Sequence, residues 1–524
     1  MRTGPVIACV SLLAGTLVAL SGTTAQAAST TYEAEASPAV CTGTVDSDWA
    51  GFSGTGFCNG TNAVGAYAQF TVNAPAAGTA TLAVRFANGT TAARPAALTV
   101  NGSAVSSSSY EATGAWTAWA TKTFTVPVNA GANTVRLDPT GATGLPNIDR
   151  LDVETAGTTT PPSGAALYVA PNGTDGAAGT LAAPTTLSSA IARVTSGGTI
   201  YLRGGTYHHS RTITIPAGSN GTAAARTKLS AYPGEQPVLN FSAMTEDPAN
   251  RGLAVNGSYW HISGIVVERA GDNGIFVGGS DNVIERTVTR FNRDSGLQLS
   301  RIASTTPQSQ WPSRNLVLSA ESHDNADADG EDADGFAAKL TVGPGNVFRY
   351  AVSHHNIDDG WDLYTKTDTG PIGTVTIEDS LAYENGTLSD GTQNASGDRN
   401  GYKLGGEDIA VDHVVRRSIA YRNGKHGFTY NSNPGTMAVS NNLSVDNAQR
   451  NYSFDAGTSV FRNNTSCRSG SGTNDRTLGD ADGSNQFWSG TNGSRCAAYS
   501  GALGWSYATD GRLAVTLGGR PVTL

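Results

Sequence analysis

The sequence predicts an all-β protein in two parts, a small antiparallel β-sandwich followed by a large parallel β-helix. Three observations lead there. Glycine supplies 64 of the 524 residues while charged residues supply only 15 %, the mark of a turn-rich chain rather than of a coiled coil or long-helix protein. Short runs of alternating apolar and polar residues fill the first third, and a unit of about two dozen residues recurs through the rest. The glycines keep no three-residue period, which excludes collagen, and 38 % of the chain is hydrophobic, which excludes disorder. A formal net charge of -9 argues against a nucleic-acid partner.

Arg2 precedes an apolar run from Val6 to Leu20, and the polar stretch after it ends in Ala25-Gln26-Ala27, the small-x-small pattern of a cleaved leader. Residues 1–27 are therefore expected to be removed from a secreted, extracellular protein. The run is too short for the ~20 residues of a membrane span, so no membrane association is expected. Cys9 leaves with the leader and four cysteines remain. In an oxidising compartment, proximity favours Cys41 with Cys58 and Cys467 with Cys496, although four cysteines allow three pairings.

Thr155-Ala-Gly-Thr-Thr-Thr-Pro-Pro-Ser-Gly164 has the composition of an exposed connector. It separates a module at 28–154 from a domain at 165–524. Within the module, Ala80-Thr-Leu-Ala-Val-Arg-Phe86, Ala97-Leu-Thr-Val100 and Asn133-Thr-Val-Arg-Leu137 alternate between Gly-rich turns, the pattern of a jelly-roll-like sandwich.

This module resembles carbohydrate-binding modules of families 35 and 6. The resemblance rests on Tyr32-Glu-Ala-Glu35, the Asn101-Gly turn, Trp116 and Trp119 before Ala130-Gly-Ala-Asn-Thr, and Asn147-Ile-Asp-Arg-Leu-Asp-Val153. It implies a structural calcium held by Glu33 and Glu35 with Asp152 from the last strand. It also implies a sugar site at Asn147 and Trp116, where an aromatic face stacks on a pyranose and an amide fixes its hydroxyls.

The large domain opens with a short amphipathic stretch carrying Leu187, Ala190, Ile191 and Val194 on one face, a suitable cap for a solenoid. A Gly or Asn followed by an apolar residue then recurs at Gly274-Ile275, Gly296-Leu297, Gly335-Phe336, Gly360-Trp361, Gly401-Tyr402, Gly427-Phe428 and Asn451-Tyr452, with undisturbed steps of 22, 25, 26 and 24 residues. That is the length of one β-helix coil. Asn292, Asn356, Asn423 and Asn447 lie four residues before their Gly-like position, whereas Asn325 lies ten before and Asn385 sixteen, so two coils carry insertions. The asparagines read as a ladder of stacked amides.

Side chains alternate beyond each glycine, giving an inward row of Ile275, Leu297, Phe336, Trp361, Tyr402 and Phe428. The outward row runs past Val277, offset from Phe276, through Gln298, Ala337, Asp362, Lys403 and Thr429. Asp362 and Lys403 then occupy equivalent places on adjacent coils, and Asp334, Asp358 and Asp359 join them on one patch. Carboxylates stacked at coil spacing repel unless a cation sits among them, and an oxygen-only ligand set favours calcium. Asn325-Ala-Asp-Ala-Asp-Gly330 is not an EF-hand loop, because Phe336 stands where its last glutamate belongs. Lys339 and Tyr364 lie two residues further along the outward column, placed to meet a substrate, while His323, His354, His355 and His426 read as corner residues.

From about Tyr168 onward the chain resembles family 9 polysaccharide lyases, which are right-handed, pectate-lyase-like parallel β-helices. The motifs that carry this are Asp332-Ala-Asp-Gly-Phe-Ala-Ala-Lys-Leu340, Asp358-Asp-Gly-Trp-Asp-Leu-Tyr364 and Asn400-Gly-Tyr-Lys-Leu-Gly-Gly406. The resemblance implies calcium ligands at Asp334, Asp358, Asp359 and Asp362 and a catalytic base at Lys403. It further implies β-elimination on a pectic polysaccharide, polygalacturonate or rhamnogalacturonan; a lysine that must be neutral to take the proton predicts an alkaline optimum, and a monomer is expected. The loop from Thr387 to Arg399 departs from the pattern. Two alternatives stand beside this reading. An inverting polygalacturonase would carry Arg-Ile-Lys and Gly-His motifs, which are absent. A noncatalytic polysaccharide-binding solenoid would leave the lysine without a purpose.

Overall fold

A computed structural model of the protein describes residues 29–74, 78–129, 131–155 and 166–524. The leader, Cys9 and the connector beyond Thr155 lie outside the described residues. The chain divides into two units, Met1–Thr160 and Pro161–Leu524.

The first unit is a sandwich of two antiparallel sheets. One sheet orders its strands as Gly43–Asp46, Phe57–Gly60, Asn147–Thr155, Gly78–Ala87 and Ala120–Val128, with Ser29–Glu33 also paired to Asn147–Thr155. The other orders Val40–Cys41, Ala68–Ala74, Gly131–Pro139, Arg94–Val100 and Ser103–Tyr110. Alternation buries every second residue, among them Phe70, Val72, Leu82, Val84, Leu98, Val135 and Leu137, in one core between the sheets. Cys41 and Cys58 form a disulfide that staples one sheet to the other, with Cα atoms 5.6 Å apart.

The second unit is a parallel β-helix. Among the described residues its coils contribute to sheets of 12, 10 and 10 parallel strands. The helix Leu187–Arg193, N-capped by Thr186 Oγ1 accepting from Ser189 N, buries Leu187, Ala190 and Ile191 against the first coils. Inside, the expected row is a column of rings. Centroids are 4.9 Å apart for Phe336 and Trp361, 4.8 Å for Trp361 and Tyr402, 4.6 Å for Tyr402 and Phe428, and 5.1 Å for Phe428 and Tyr452.

The asparagine ladder runs along one corner: each Nδ2 donates to the next Oδ1 from Asn292 through Asn325, Asn356, Asn385 and Asn423 to Asn447, at 2.7 to 2.9 Å. Each rung is preceded by a residue at positive φ, including Asp324, His355, Glu384, Arg422 and Asp446. The amide bonds offset the cost of turning an L-residue through that region, at about 1 kcal/mol per bond. A second ladder, which the sequence reading did not single out, links Asn315 to Asn346 and runs again from Asn442 through Asn464 to Asn485.

Two features differ from the expectation. Val277 belongs to the core, and its neighbour Phe276 is the residue in register with Gln298. The domain also does not remain a parallel helix to its end. Leu503–Tyr507, Leu513–Leu517 and Arg520–Pro521 form an antiparallel sheet whose Val515 and Leu517 pack on Val352, Leu381, Ile419 and Leu443 of the second helical sheet. The disulfide between Cys467 and Cys496, with Cα atoms 5.5 Å apart, fastens this C-terminal segment to the helix.

Candidate active site

The third helical sheet carries Phe336–Ala338, Trp361–Asp362, Tyr402–Lys403 and Phe428–Thr429 side by side. Its register aligns Phe276, Gln298, Ala337, Asp362, Lys403 and Thr429 in one outward column. Because an inward apolar residue locks each coil, aromatic from Phe336 onward, the outward side chains are held in place by the core beneath them.

Asp334, Asp358 and Asp359 converge just before these strands. One carboxylate oxygen from each lies within 4.8 Å of the others, and all three residues are buried. Backbone N–H groups of the long inserted loop hold two of them: Arg399 N donates to Asp358 Oδ1 at 3.1 Å, and Asn400 N donates to Asp359 Oδ1 at 2.5 Å. Ser295 Oγ donates to Asp334 Oδ2 at 3.0 Å. Asp359 Oδ2, buried and without a hydrogen-bond partner, faces Lys403 Nζ at 3.2 Å.

Burial raises all three carboxyls. For Asp334, Lys339 offsets part of that effect while Asp362 and Asp359 add to it, and the group stays well above its ordinary value. Asp358 is likewise held high, with Asp359 and Asp334 adding to burial. For Asp359, burial is opposed by Lys403 and the group comes to about 6. Buried carboxylates that resist ionisation, one with an oxygen that no hydrogen bond satisfies, are a donor set suited to a hard divalent cation.

Two lysines flank the acids. Lys403 is 8 % exposed, and its Nζ also lies 3.8 Å from Asp362 Oδ2 and 3.1 Å from Asp398 Oδ2. Burial alone would lower its ammonium, but Asp362, Asp359, Asp358 and Asp334 outweigh it and hold the group above the usual lysine range. Tyr364 sits beside it, with its ring centroid 5.4 Å from Lys403 Nζ and its hydroxyl donating to Glu407 Oε1 at 3.2 Å. Lys339, expected at the substrate's side, is turned into the cluster: its side chain is 7 % exposed and its Nζ lies 2.8 Å from Asp334 Oδ2 and 3.4 Å from Asp362 Oδ2. Asp362 thus stands between two ammonium groups, apart from the converging triad. Asp398, missed in the sequence, enters from the inserted loop.

In the sandwich, Glu33 and Glu35 gather with Asp149 rather than Asp152. Ser53 Oγ donates to Glu33 Oε2 at 2.8 Å and to Asp149 Oδ2 at 3.1 Å, while Thr55 N donates to Glu35 Oε1 at 2.7 Å. Glu35 Oε2 is buried without a partner. Asp149 is the extra residue of a bulge where the pairing with Gly78–Ala87 shifts between Ile148 and Arg150. Asp152 is engaged elsewhere, by Arg150 Nε at 2.9 Å and Thr31 Oγ1 at 2.6 Å. Asn147 is paired with Ala87 and buried, and Trp116 lies over Gly89, two residues beyond that partner, with the Arg94 guanidinium 5.5 Å from its ring. Trp119 is anchored in packing, donating to Ala50 O at 3.1 Å.

Comparison with known proteins gives two family matches: a "Pel9A-like, right handed beta helix region" at residues 167–474 and a "Carbohydrate binding module (family 6)" at 34–155. The chain is 54 % identical over 325 residues to the pectate lyase L of Paenibacillus polymyxa (strain SC2), covering 62 % of this chain and 72 % of that protein. It is 47 % identical over 293 residues to the pectate lyase L of Thermoclostridium stercorarium, covering 56 % of this chain and 23 % of the relative. The crystal structure of pectate lyase Pel9A superposes with a TM-score of 0.55 at 34 % identity, covering 63 % of this chain and 81 % of that one.

Proposed function

The chain belongs to the Pel9A-like right-handed β-helix family and is a polysaccharide lyase, and from that premise we propose that it is a secreted, calcium-dependent pectate lyase that cleaves polygalacturonate by β-elimination. The observation that carries this reading is the meeting of Lys403 with the Asp334, Asp358 and Asp359 triad, Nζ lying 3.2 Å from Asp359 Oδ2. Asp334, Asp358 and Asp359, with Asp362 at their side, are the residues that would hold calcium. Bound there, calcium supplies a positive charge against which a uronate carboxylate can take up the negative charge that spreads onto it when C5 loses its proton.

Lys403 receives that proton. The carboxylates that hold its ammonium high cannot also be committed to a cation without releasing that hold, and burial then favours the neutral amine a base requires. The C5–H bond breaks as Nζ–H forms, its electron pair becomes the C4–C5 double bond, and the C4–O bond breaks with its pair on the glycosidic oxygen, which takes up a proton from Lys403 or solvent and leaves as a hydroxyl. Water is not consumed, and the new sugar end is 4,5-unsaturated. Tyr364 offers a half-buried ring beside Nζ for a neighbouring pyranose. Lys339 is a fixed counter-charge to Asp334 and Asp362, not a substrate contact.

The sandwich is proposed to bind polysaccharide through Asn147 and Trp116, with Glu33, Glu35 and Asp149 as its structural cation site. Among the described residues no helix is long and apolar enough to cross a membrane. The test is incubation of the secreted protein with polygalacturonate and, separately, rhamnogalacturonan, with and without chelator, following ultraviolet absorbance. Absorbance that rises on polygalacturonate only in the absence of chelator supports the proposal. A rise on rhamnogalacturonan alone moves the substrate, and release of reducing ends without absorbance rejects elimination.

A further inference from the structure

The inserted loop does more than lengthen a corner. Asn385 lies sixteen residues before Gly401, against four in an uninterrupted coil, and the extra residues fold back over the site. Asn394 Nδ2 donates to Asp329 O at 2.7 Å, and Ser389 N donates to Asp324 Oδ1 at 2.8 Å, so the loop is anchored at two points away from the triad. Its last turn delivers Asp398, whose two carboxylate oxygens reach different lysines: Oδ2 is 3.1 Å from Lys403 Nζ and Oδ1 is 2.6 Å from Lys425 Nζ. Lys425 comes from the next coil, two residues after ladder residue Asn423.

We propose that Asp398 is the positioning residue for the base, a carboxylate strut braced by Lys425 that fixes the direction of Lys403 Nζ. The inference rests on Lys403 being the base. A neutral lysine amine has two N–H donors and one lone pair on a freely rotating terminus. If Asp398 Oδ2 accepts one N–H, the amine no longer rotates freely, and its lone pair is left to the outward side of the sheet, toward C5. When the proton crosses from C5 to Nζ, positive charge appears on Lys403, 3.1 Å from an ion that was already oriented. That attraction is stronger in the transition state than with the neutral amine, so it acts on turnover rather than on binding. Lys425 holds the second oxygen, so the carboxylate cannot rotate away.

The experiment measures kcat and KM on polygalacturonate, with calcium present, for Asp398→Ala, Asp398→Glu, Lys425→Met and Lys403→Ala, together with the thermal midpoint of each. Asp398→Ala is expected to lower kcat about 100-fold, the scale of a misplaced catalytic group, with KM within about twofold and the midpoint near wild type. Asp398→Glu should recover most of the loss, Lys425→Met should reproduce part of it, and Asp398→Ala should add nothing to Lys403→Ala. Wild-type kcat in Asp398→Ala overturns the proposal. So does a parallel fall in kcat and midpoint that Asp398→Glu fails to rescue, which would make the residue a loop anchor only. If Lys403→Ala itself keeps turnover, the base assignment fails, an outcome separate from either of these.

Discussion

Lys403 is the register partner of Asp362 on the neighbouring coil, and the two side chains leave the sheet together with Nζ 3.8 Å from Oδ2. Neither residue alone marks a reactive centre. Stacked at one coil's rise beneath a locked aromatic column, they place a proton acceptor beside an acidic cluster without any flexible element between them.

If Lys403 takes the C5 proton, Lys403→Ala is expected to lose about 10³-fold or more in kcat, within the range of a general base. Lys403→Arg should lose nearly as much, because a guanidinium does not deprotonate at workable pH. Thermal midpoints near wild type, with absorbance kinetics as the readout, separate lost chemistry from lost fold.

The buried triad should make calcium a folding ligand as well. At a hundredfold excess over its dissociation constant, a ligand that binds only the folded state adds about 2.7 kcal/mol. Differential scanning calorimetry is expected to show the midpoint of the helical domain rising with calcium, and Asp359→Asn should abolish most of that rise. An equal rise in the variant would place the ion elsewhere.

The amide ladder sets a stability expectation independent of catalysis. Asn356 donates to Asn385 at 2.9 Å and to Ser353 Oγ at 3.0 Å while accepting from Asn325 at 2.7 Å. Asn356→Ala strands those buried partners and should cost about 1 to 3 kcal/mol by denaturant titration.

Asp324 gives the acid side of the pH profile. Burial pushes its carboxyl up, but bonds from His323 and Ser389 hold it at about 2, below the ~3.9 of an unfolded aspartate. A depressed folded value means that the unfolded chain takes up the proton first. Its contribution to stability is therefore complete above the unfolded value and is lost as pH falls toward 2. Midpoints measured from pH 5 to pH 2 should fall more steeply for wild type than for Asp324→Asn.

How far the sequence could be read follows from which features are periodic. The column from Gln298 through Asp362 and Lys403 to Thr429 was legible because each glycine precedes an inward apolar residue and side chains alternate beyond it. Asp398 obeys no such period: it sits in an insertion, and the loop's bonds to Asp324, Asp329 and Asp358 bring it to Lys403. Asp149 was hidden for a related reason. Asn147-Ile-Asp-Arg-Leu-Asp-Val153 offers two acids, and the bulge after Ile148, a backbone event, decides which one joins the glutamates. Lys339 was expected at the substrate's side because alternation says which side of a sheet a residue leaves from. It does not say that a long side chain can fold back onto Asp334.

The most direct test of the central claim is the ultraviolet absorbance of products formed from polygalacturonate by the wild type and by Lys403→Ala, each with calcium and with chelator. The account expects a steady rise for the wild type with calcium and essentially none in the other three arms. A rise of wild-type rate in Lys403→Ala, or one indifferent to chelator, would contradict it.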